Sequence, residues 1–260
     1  MHKILIINAD DFGWDADTVD TTINLFENSI LTSASIMTGR SGSRQAIDFA
    51  HKNQHKFSFG LHFNIVDNHV PFNPREINSL LNSELTFKLS NQQRLDGLLF
   101  RLKQVDIQKE FEYQILQLLN NDINISHIDS HGHLHKIPQI LLAIKPIMKK
   151  YNITTIRIPQ NIYQTKYIHK RMMNLLFSLF FYNTKHVDNF FMLENHNDMN
   201  WFSFFIKNIK SGITELGIHP GTSDKWRNIE TKPFLNKKIT SELLKNNIQI
   251  ANYNILKEIL

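Results

Sequence analysis

The apolar runs of this chain are short, and nearly all of them are separated by stretches with helical spacing. Lys3–Ala9 is built round the unbroken run Ile4–Ile7, the pattern of a strand covered on both faces. Asp17–Asn28 follows with Val19, Ile23 and Phe26 on one side, which predicts a helix. The alternation continues with a strand near Leu31–Met37, a helix near Arg44–Asn53 and a strand near Phe57–Ile65. Residues 66–93, with Pro71, Pro74 and many Asn and Ser, read as irregular, and connections of that length often form functional walls or lids. Beyond them come a helix near Gln108–Asn120, a strand at Asn124–Asp129, a helix at Pro138–Tyr151 and a strand at Thr154–Ile158. Residues 165–212 read as mostly helical with one strand near Val187–Leu193. A strand at Thr214–Ile218, a helix near Ile239–Lys245 and a strand at Ile248–Tyr253 end the chain. Such alternation over about 250 residues predicts an α/β fold, a (β/α) barrel of TIM-like type with about seven or eight strands, in preference to an open doubly wound sheet. The lack of Gly-x-Gly-x-x-Gly after the first strand argues against dinucleotide binding.

With 260 residues the chain can bury a substantial core, and no repeat or Gly/Ser- or Pro-rich linker divides it, so one domain over 1–260 is expected. Cysteine is absent, which removes disulfides, thiolate ligands and cysteine nucleophiles. The first apolar core, Ile4 to Ile7, is too short for a secretory signal. The longest apolar patch, Leu175 to Tyr182, is less than half of the ~20 residues needed to cross a bilayer. A soluble, cytoplasmic protein is the expectation. Net charge is +5 and the pI about 9.2, but the lysines are scattered and no basic–aromatic stripe stands out, so no nucleic-acid partner is expected.

The polar residues fall at strand ends. The first strand delivers Asp10 and Asp11, "FSFGLHFNI" delivers His62, and "HIDSHGHLH" delivers His127, Asp129, His131, His133 and His135. "ELGIHPG" delivers His219. Taken singly, each has an ordinary structural explanation, since Asp after a strand is usually a turn residue or helix cap and a lone buried His is usually hydrogen-bonded core. In a parallel barrel, however, all four segments open on one face, where barrel enzymes build their sites. Two imidazoles and one carboxylate suit a divalent metal with open positions for water and substrate. A metal also accounts for the adjacent acids, because one binds it and offsets the repulsion felt by the other. A metal held in this way makes hydroxide available near neutral pH, which is hydrolytic chemistry; the same donor set also serves non-haem iron oxygenases.

"IINADDFG", "ILTSASIM", "GLHFNI", "HIDSHGHLHKIP", "IRIP" and "ELGIHPG" resemble, in that order, the motifs of the YdjC-like, ChbG-type carbohydrate deacetylases, a family that includes HpnK-like hopanoid-associated members. The resemblance runs from residue 4 to about residue 256. It implies a distorted (β/α) barrel of the glycoside hydrolase/deacetylase type, a homodimer, and hydrolysis of the N-acetyl group of an amino sugar, free or lipid-linked, with one divalent metal, magnesium or zinc. Carried over by motif, Asp11, His62 and His131 are the metal ligands and Asp10 the general base. His219 is the candidate general acid, with His133 and His135 as alternatives or supporting groups. Asp129, on the same strand face as His131, is placed to orient an imidazole or meet the sugar, and Arg157 is a candidate substrate contact. The alternatives are another amide or ester hydrolase on the same barrel, or a non-catalytic sugar-binding protein. Two features depart from the family pattern. After "HPG" the usual Tyr-containing loop leading to an Arg-Glu pair is replaced by "TSDKWRNIETKPF", and residues 162–205 are unusually aromatic, which predicts core and a subunit interface.

Overall fold

The computed structural model describes residues 2–165, 167–236 and 238–258. Its centre is a parallel sheet of seven strands: β1 (Lys3–Phe12), β2 (Ser33–Ile36), β3 (Ser58–Phe63), β4 (Ile125–Ser130), β5 (Asn189–Met192), β6 (Gly212–Ile218) and β7 (Ile248–Ile250). They run in the order β4-β3-β2-β1-β6-β5, and β7 pairs with β1. β1 therefore has three neighbours. It pairs with β7 over Lys3–Leu5, with β2 over Asn8–Phe12, and with β6 over Lys3–Ala9. Leu5, Ile6 and Ile7 are fully buried, as the unbroken apolar run requires of a strand covered on both faces.

The outer strands β4 and β5 are linked through residues 154–162. Ile128 N donates to Thr155 O and Arg157 N to Ile128 O, while Lys185 N donates to Thr154 O and Asn161 N to Phe190 O. The strand expected at Thr154–Ile158 is thus present only as two isolated bridges, Ile128↔Ile156 and Thr155↔Lys185. On the β4 side Pro159 removes the donor that would follow Arg157 N. This is where the barrel is distorted, in agreement with the expected fold class.

Helices α1 (Ala16–Asn28), α2 (Ser43–Asn53), α3 (Ser90–Leu98), α4 (Gln104–Leu119) and α5 (Pro138–Lys150) cover the first half of the sheet. Helices α6 (Ile168–Ser178), α7 (Trp201–Asn208), α8 (Lys225–Thr231), α9 (Ile239–Lys245) and α10 (Ile255–Glu258) belong to the second. α1 starts at Ala16 because Asp15 caps it: Thr18 N donates to Asp15 Oδ1 at 2.9 Å, and Asp15 N donates back to Thr18 Oγ1 at 3.1 Å. The region expected to be irregular is so only as far as Leu89, with two short 3₁₀ turns at Pro74–Glu76 and Asn78–Leu80. α3, α8 and the single-turn α10 have no counterpart in the sequence reading, and β7 stops at Ile250, three residues short of the expected strand end at Tyr253. Of the aromatic segments, "NFFML" and "NWFSFF" do enter the core through Phe190, Phe191, Trp201, Phe202 and Phe205. "LLFSLFFY" contributes only Phe177 and Phe181 to it, and four of its apolar side chains are exposed. No helix among the described residues is long and apolar enough to cross a membrane.

Candidate metal centre and active site

The site begins with the two adjacent acids of β1. Strand alternation sends neighbouring side chains to opposite faces, and Asp10 obeys it: it shares the inner face with Asn8, whose Nδ2 donates to Asp10 Oδ1 at 2.9 Å. Asp11 escapes the alternation. The β1–β2 register shifts between Ala9 and Phe12, and Asp11 has a left-handed backbone with φ 59°. A bulge of this kind re-aims a side chain, and here it turns the Asp11 carboxylate towards the imidazoles. Asp is among the few residues that take this conformation at low cost.

Asp11 Oδ1 lies 2.9 Å from His131 Nδ1 and 3.2 Å from His62 Nε2, and these three donors form one compact cluster. Asp11 Oδ2 accepts from Arg227 Nη2 at 2.7 Å. His62 is oriented from behind, where its Nδ1 lies 2.8 Å from Asp129 Oδ1. Asp129 Oδ2 in turn accepts from Ser35 Oγ at 2.8 Å. With Nδ1–H given to Asp129, the His62 Nε2 lone pair faces the Asp11 carboxylate, within ion-pair distance but without hydrogen-bond direction. Nε2 is thus a buried atom without a hydrogen-bond partner. Either a proton or a cation satisfies two facing lone pairs. A hard or borderline divalent cation fits this carboxylate–imidazole set, and the Asp129–His62 contact is the usual outer support of a metal-binding histidine. Burial works against a charged His62, yet Asp129 and Asp11 raise it to about 10, so a proton holds the place when no cation is bound. Although burial opposes it, His131 and His62 hold the Asp11 carboxyl well below the usual carboxylate range.

Asp10 is gripped by Arg157. Nη1 donates to Asp10 Oδ2 and Nη2 to Asp10 Oδ1, both at 2.6 Å. The same guanidinium reaches Asp129 Oδ2 at 2.8 Å and donates from Nε and Nη2 to Glu215 Oε1 at 2.9 and 2.7 Å. Arg157 is fully buried over the Phe190 ring. The sequence reading made it a candidate substrate contact; instead its donors are spent on three carboxylates, and it acts as their internal counter-ion. Deeper inside, His127 stacks on Tyr253 at 3.7 Å. Gly60 is needed there, because a Cβ would lie 2.5 Å from the His127 ring. Burial pushes His127 down to about 3, a neutral core residue.

His219 stands at the end of β6. Its Nδ1 lies 3.1 Å from Glu230 Oε2, which also accepts the His219 backbone N–H at 2.7 Å. The other oxygen, Glu230 Oε1, lies 2.6 Å from His196 Nε2. Burial alone lowers His219, but Glu230 reverses the sign and raises it. The remaining two histidines of the cluster turn away from the Asp11 carboxylate. His135 lies between Ser130 Oγ at 2.7 Å and Arg157 O at 3.1 Å, and His133 Nε2 lies 3.1 Å from Met192 Sδ. Burial holds His135 down at about 3 and His133 well below the ordinary imidazole value. At the mouth, Trp14 lies against His131 and His69, with ring centres 5.3 and 5.0 Å away, and the Arg40 guanidinium covers it at 4.3 Å.

Asn8, Ser35, Glu215, Arg227, Glu230 and His196 escape the sequence reading. The signal available was polarity inside apolar strands for Asn8, Ser35 and Glu215. For Arg227 and Glu230 it was the Arg-x-x-Glu spacing within "WRNIE", which stands where the Arg-Glu pair was expected.

A curled parallel sheet whose C-terminal edge gathers imidazoles and carboxylates is the architecture of a barrel hydrolase. Residues 4–258 match the model of the YdjC-like protein family, and the chain belongs to that family. It is 27% identical over 269 residues to a carbohydrate deacetylase of Thermoanaerobacter pseudethanolicus, covering 98% of this chain and 100% of that one. It is 25% identical over 264 residues to a carbohydrate deacetylase of Clostridium beijerinckii, covering 96% and 98%. The crystal structure of a protein described as a cellobiose-phosphate cleavage protein, from Enterococcus faecalis V583, shares the fold with a TM-score of 0.76 at 20% identity, covering 98% of this chain and 99% of that one. The enzyme class expected from the sequence, a carbohydrate deacetylase, is the one these curated relatives carry.

Proposed function

We propose that this chain hydrolyses the N-acetyl group of an acetylated amino sugar, a GlcNAc-containing oligosaccharide or glycolipid, with one divalent cation, magnesium or zinc, held by Asp11, His62 and His131. The observation that supports this reading most is the division of labour between the adjacent acids: Asp11 faces two imidazoles, while Asp10 is a separate carboxylate fixed by Arg157 and Asn8. A bound cation supplies a Lewis acid that acidifies water and polarises the amide carbonyl. Asp10 takes the proton of the attacking water on a carboxylate oxygen, and the rigid Arg157 fork keeps that oxygen in place. His219 gives a proton from Nε2 to the leaving amine. Its Nδ1–H is committed to Glu230, which selects the tautomer and stabilises the imidazolium.

The test is acetate release from mono-, oligo- and lipid-linked N-acetyl sugars by the cation-loaded chain. Asp10→Asn is expected to lose at least about a hundredfold in rate while still binding the cation. His62→Ala and His131→Ala are expected to lose cation binding as well. An Asp10→Asn variant that releases acetate at the wild-type rate would overturn the mechanism. Turnover of esters or non-sugar amides alone would move the chain to another hydrolase class.

A further inference from the structure

Helix α6 is apolar on both faces. Phe177, followed by Phe181, packs inward on the barrel together with Asn174, whose Nδ2 donates to Gln160 O at 3.2 Å. The outer face carries Ile168, Met172, Leu175 and Leu176, and Leu179 and Tyr182 continue it at the start of and just after the 3₁₀ turn Leu179–Phe181; all six are between 60 and 70% exposed. The first five recur at the i, i+4, i+7, i+8 and i+11 spacing of one continuous helical stripe. Single exposed leucines need no account, but a stripe of six bulky apolar side chains marks an interaction surface.

Charge decides what covers it. From residue 167 to 187 the chain has no Asp or Glu, while it carries His169, Lys170, Arg171, Lys185 and His186. Glu194 neutralises Lys170 at 2.6 Å, so the cations left to this stretch are Arg171 and Lys185, with His169 and His186; Asp188 accepts from Ile213 N. Lys145 of α5 adds a further cation, lying 4.1 Å over the Tyr182 ring. A second copy docked across a two-fold axis would set the remaining cations of this patch against themselves. An anionic bilayer surface complements it in both respects, taking the stripe into the headgroup boundary and the cations at the phosphates. The patch also lies beside the site, because Lys136, at the end of the His131–Lys136 turn, donates to Asn174 Oδ1 at 3.2 Å.

We propose that the outer face of α6 docks this chain peripherally on an anionic lipid surface. The inference does not rest on the deacetylase reading, and its test needs no substrate. The chain is sedimented with vesicles of phosphatidylcholine alone and of equal parts phosphatidylcholine and phosphatidylglycerol. The expected result is binding to the anionic vesicles that weakens when salt is raised. The double variant Leu175→Glu/Leu179→Glu is expected to lose at least about tenfold in partitioning with its thermal melt and light-scattering mass unchanged. A wild-type chain that stays in the supernatant with anionic vesicles overturns the proposal, as does a double variant that partitions like the wild type. A wild-type dimer that falls to a monomer in the variant, with no vesicle binding by either, overturns it too and assigns the face to a second copy.

Discussion

Arg157 faces three carboxylates with one positive charge, those of Asp10, Asp129 and Glu215, all in a dry interior. Burial pushes the Glu215 carboxyl up, against the pull of Arg157, which lightens the excess of negative charge. Removing the guanidinium leaves Asp10 and Glu215 without it, while Asp129 keeps His62 at 2.8 Å, and breaking a buried pair from one side costs about 3–5 kcal/mol. Arg157→Met is therefore expected to lower unfolding free energy by that amount in urea titrations. Arg157→Lys keeps the charge but not the fork, so it separates charge from positioning. It is expected to fold, and to release acetate about 10–100-fold more slowly, with the loss in kcat rather than in KM. A lysine variant with wild-type kcat would show that Asp10 needs no fixed orientation. Only the strand-end position of this arginine was legible in "TTIRIP". Its inward direction was not, because whether a side chain turns in or out at a distorted edge depends on partners 58 and 147 residues away in sequence.

Apart from the single-turn α10, helices were readable where their buried face is apolar and invisible where it is polar. α8 buries Arg227, which meets Asp11, Glu230, which meets His219, and Thr231, whose hydroxyl bonds Gly221, so hydrophobic periodicity has nothing to detect. α3 likewise buries Gln93 and Gly97; Gln93 Nε2 donates to Ile65 O and Leu80 O, and Gly97 sits close under Ile137. α4 mixes the two patterns. Its apolar residues Ile107, Phe111, Ile115 and Leu118 made it visible, but Glu110 is buried among them with Gln114 Nε2 as donor at 2.8 Å and Oε2 unpartnered. Burial pushes this carboxyl up from 4.5 to about 7. It is protonated in the fold and ionised in the unfolded chain across that window, so stability falls as pH rises through it. Glu110→Gln is expected to remove this dependence and to gain about 1–3 kcal/mol at pH 8, read from urea midpoints at pH 5 and 8. Equal midpoint shifts at both pH values would contradict this assignment.

At the scale of the molecule, the meeting of Asp10, Asp11, His62, His131 and His219 at one end was legible because parallel strands share a direction. The partners that tune them were not, since they arrive from the second strand, the sheet interior and α8. Cation binding is expected to be a whole-molecule event as well. His62, raised to about 10 by Asp129 and Asp11 against burial, must give up its proton to become a ligand, so affinity should climb with pH below that value. Calorimetry at pH 7 in buffers of different ionisation enthalpy is expected to report about one proton released per cation bound. Stability should rise by about 2.7 kcal/mol when the cation reaches 100 times its Kd. Without cation the sign reverses: the charged His62 stabilises the fold fully below pH 6.5, and that contribution fades as pH climbs through about 10. β1, which carries both acids, is flanked by β6 at residues 212–218 and by β7 at 248–250. β1 is therefore synthesised well before two of the strands that pair with it. Until β6 and β7 are added, Lys3–Ala9 keeps an unpaired edge beside the apolar run Ile4–Ile7, which makes this segment the most aggregation-exposed part of the sheet during synthesis.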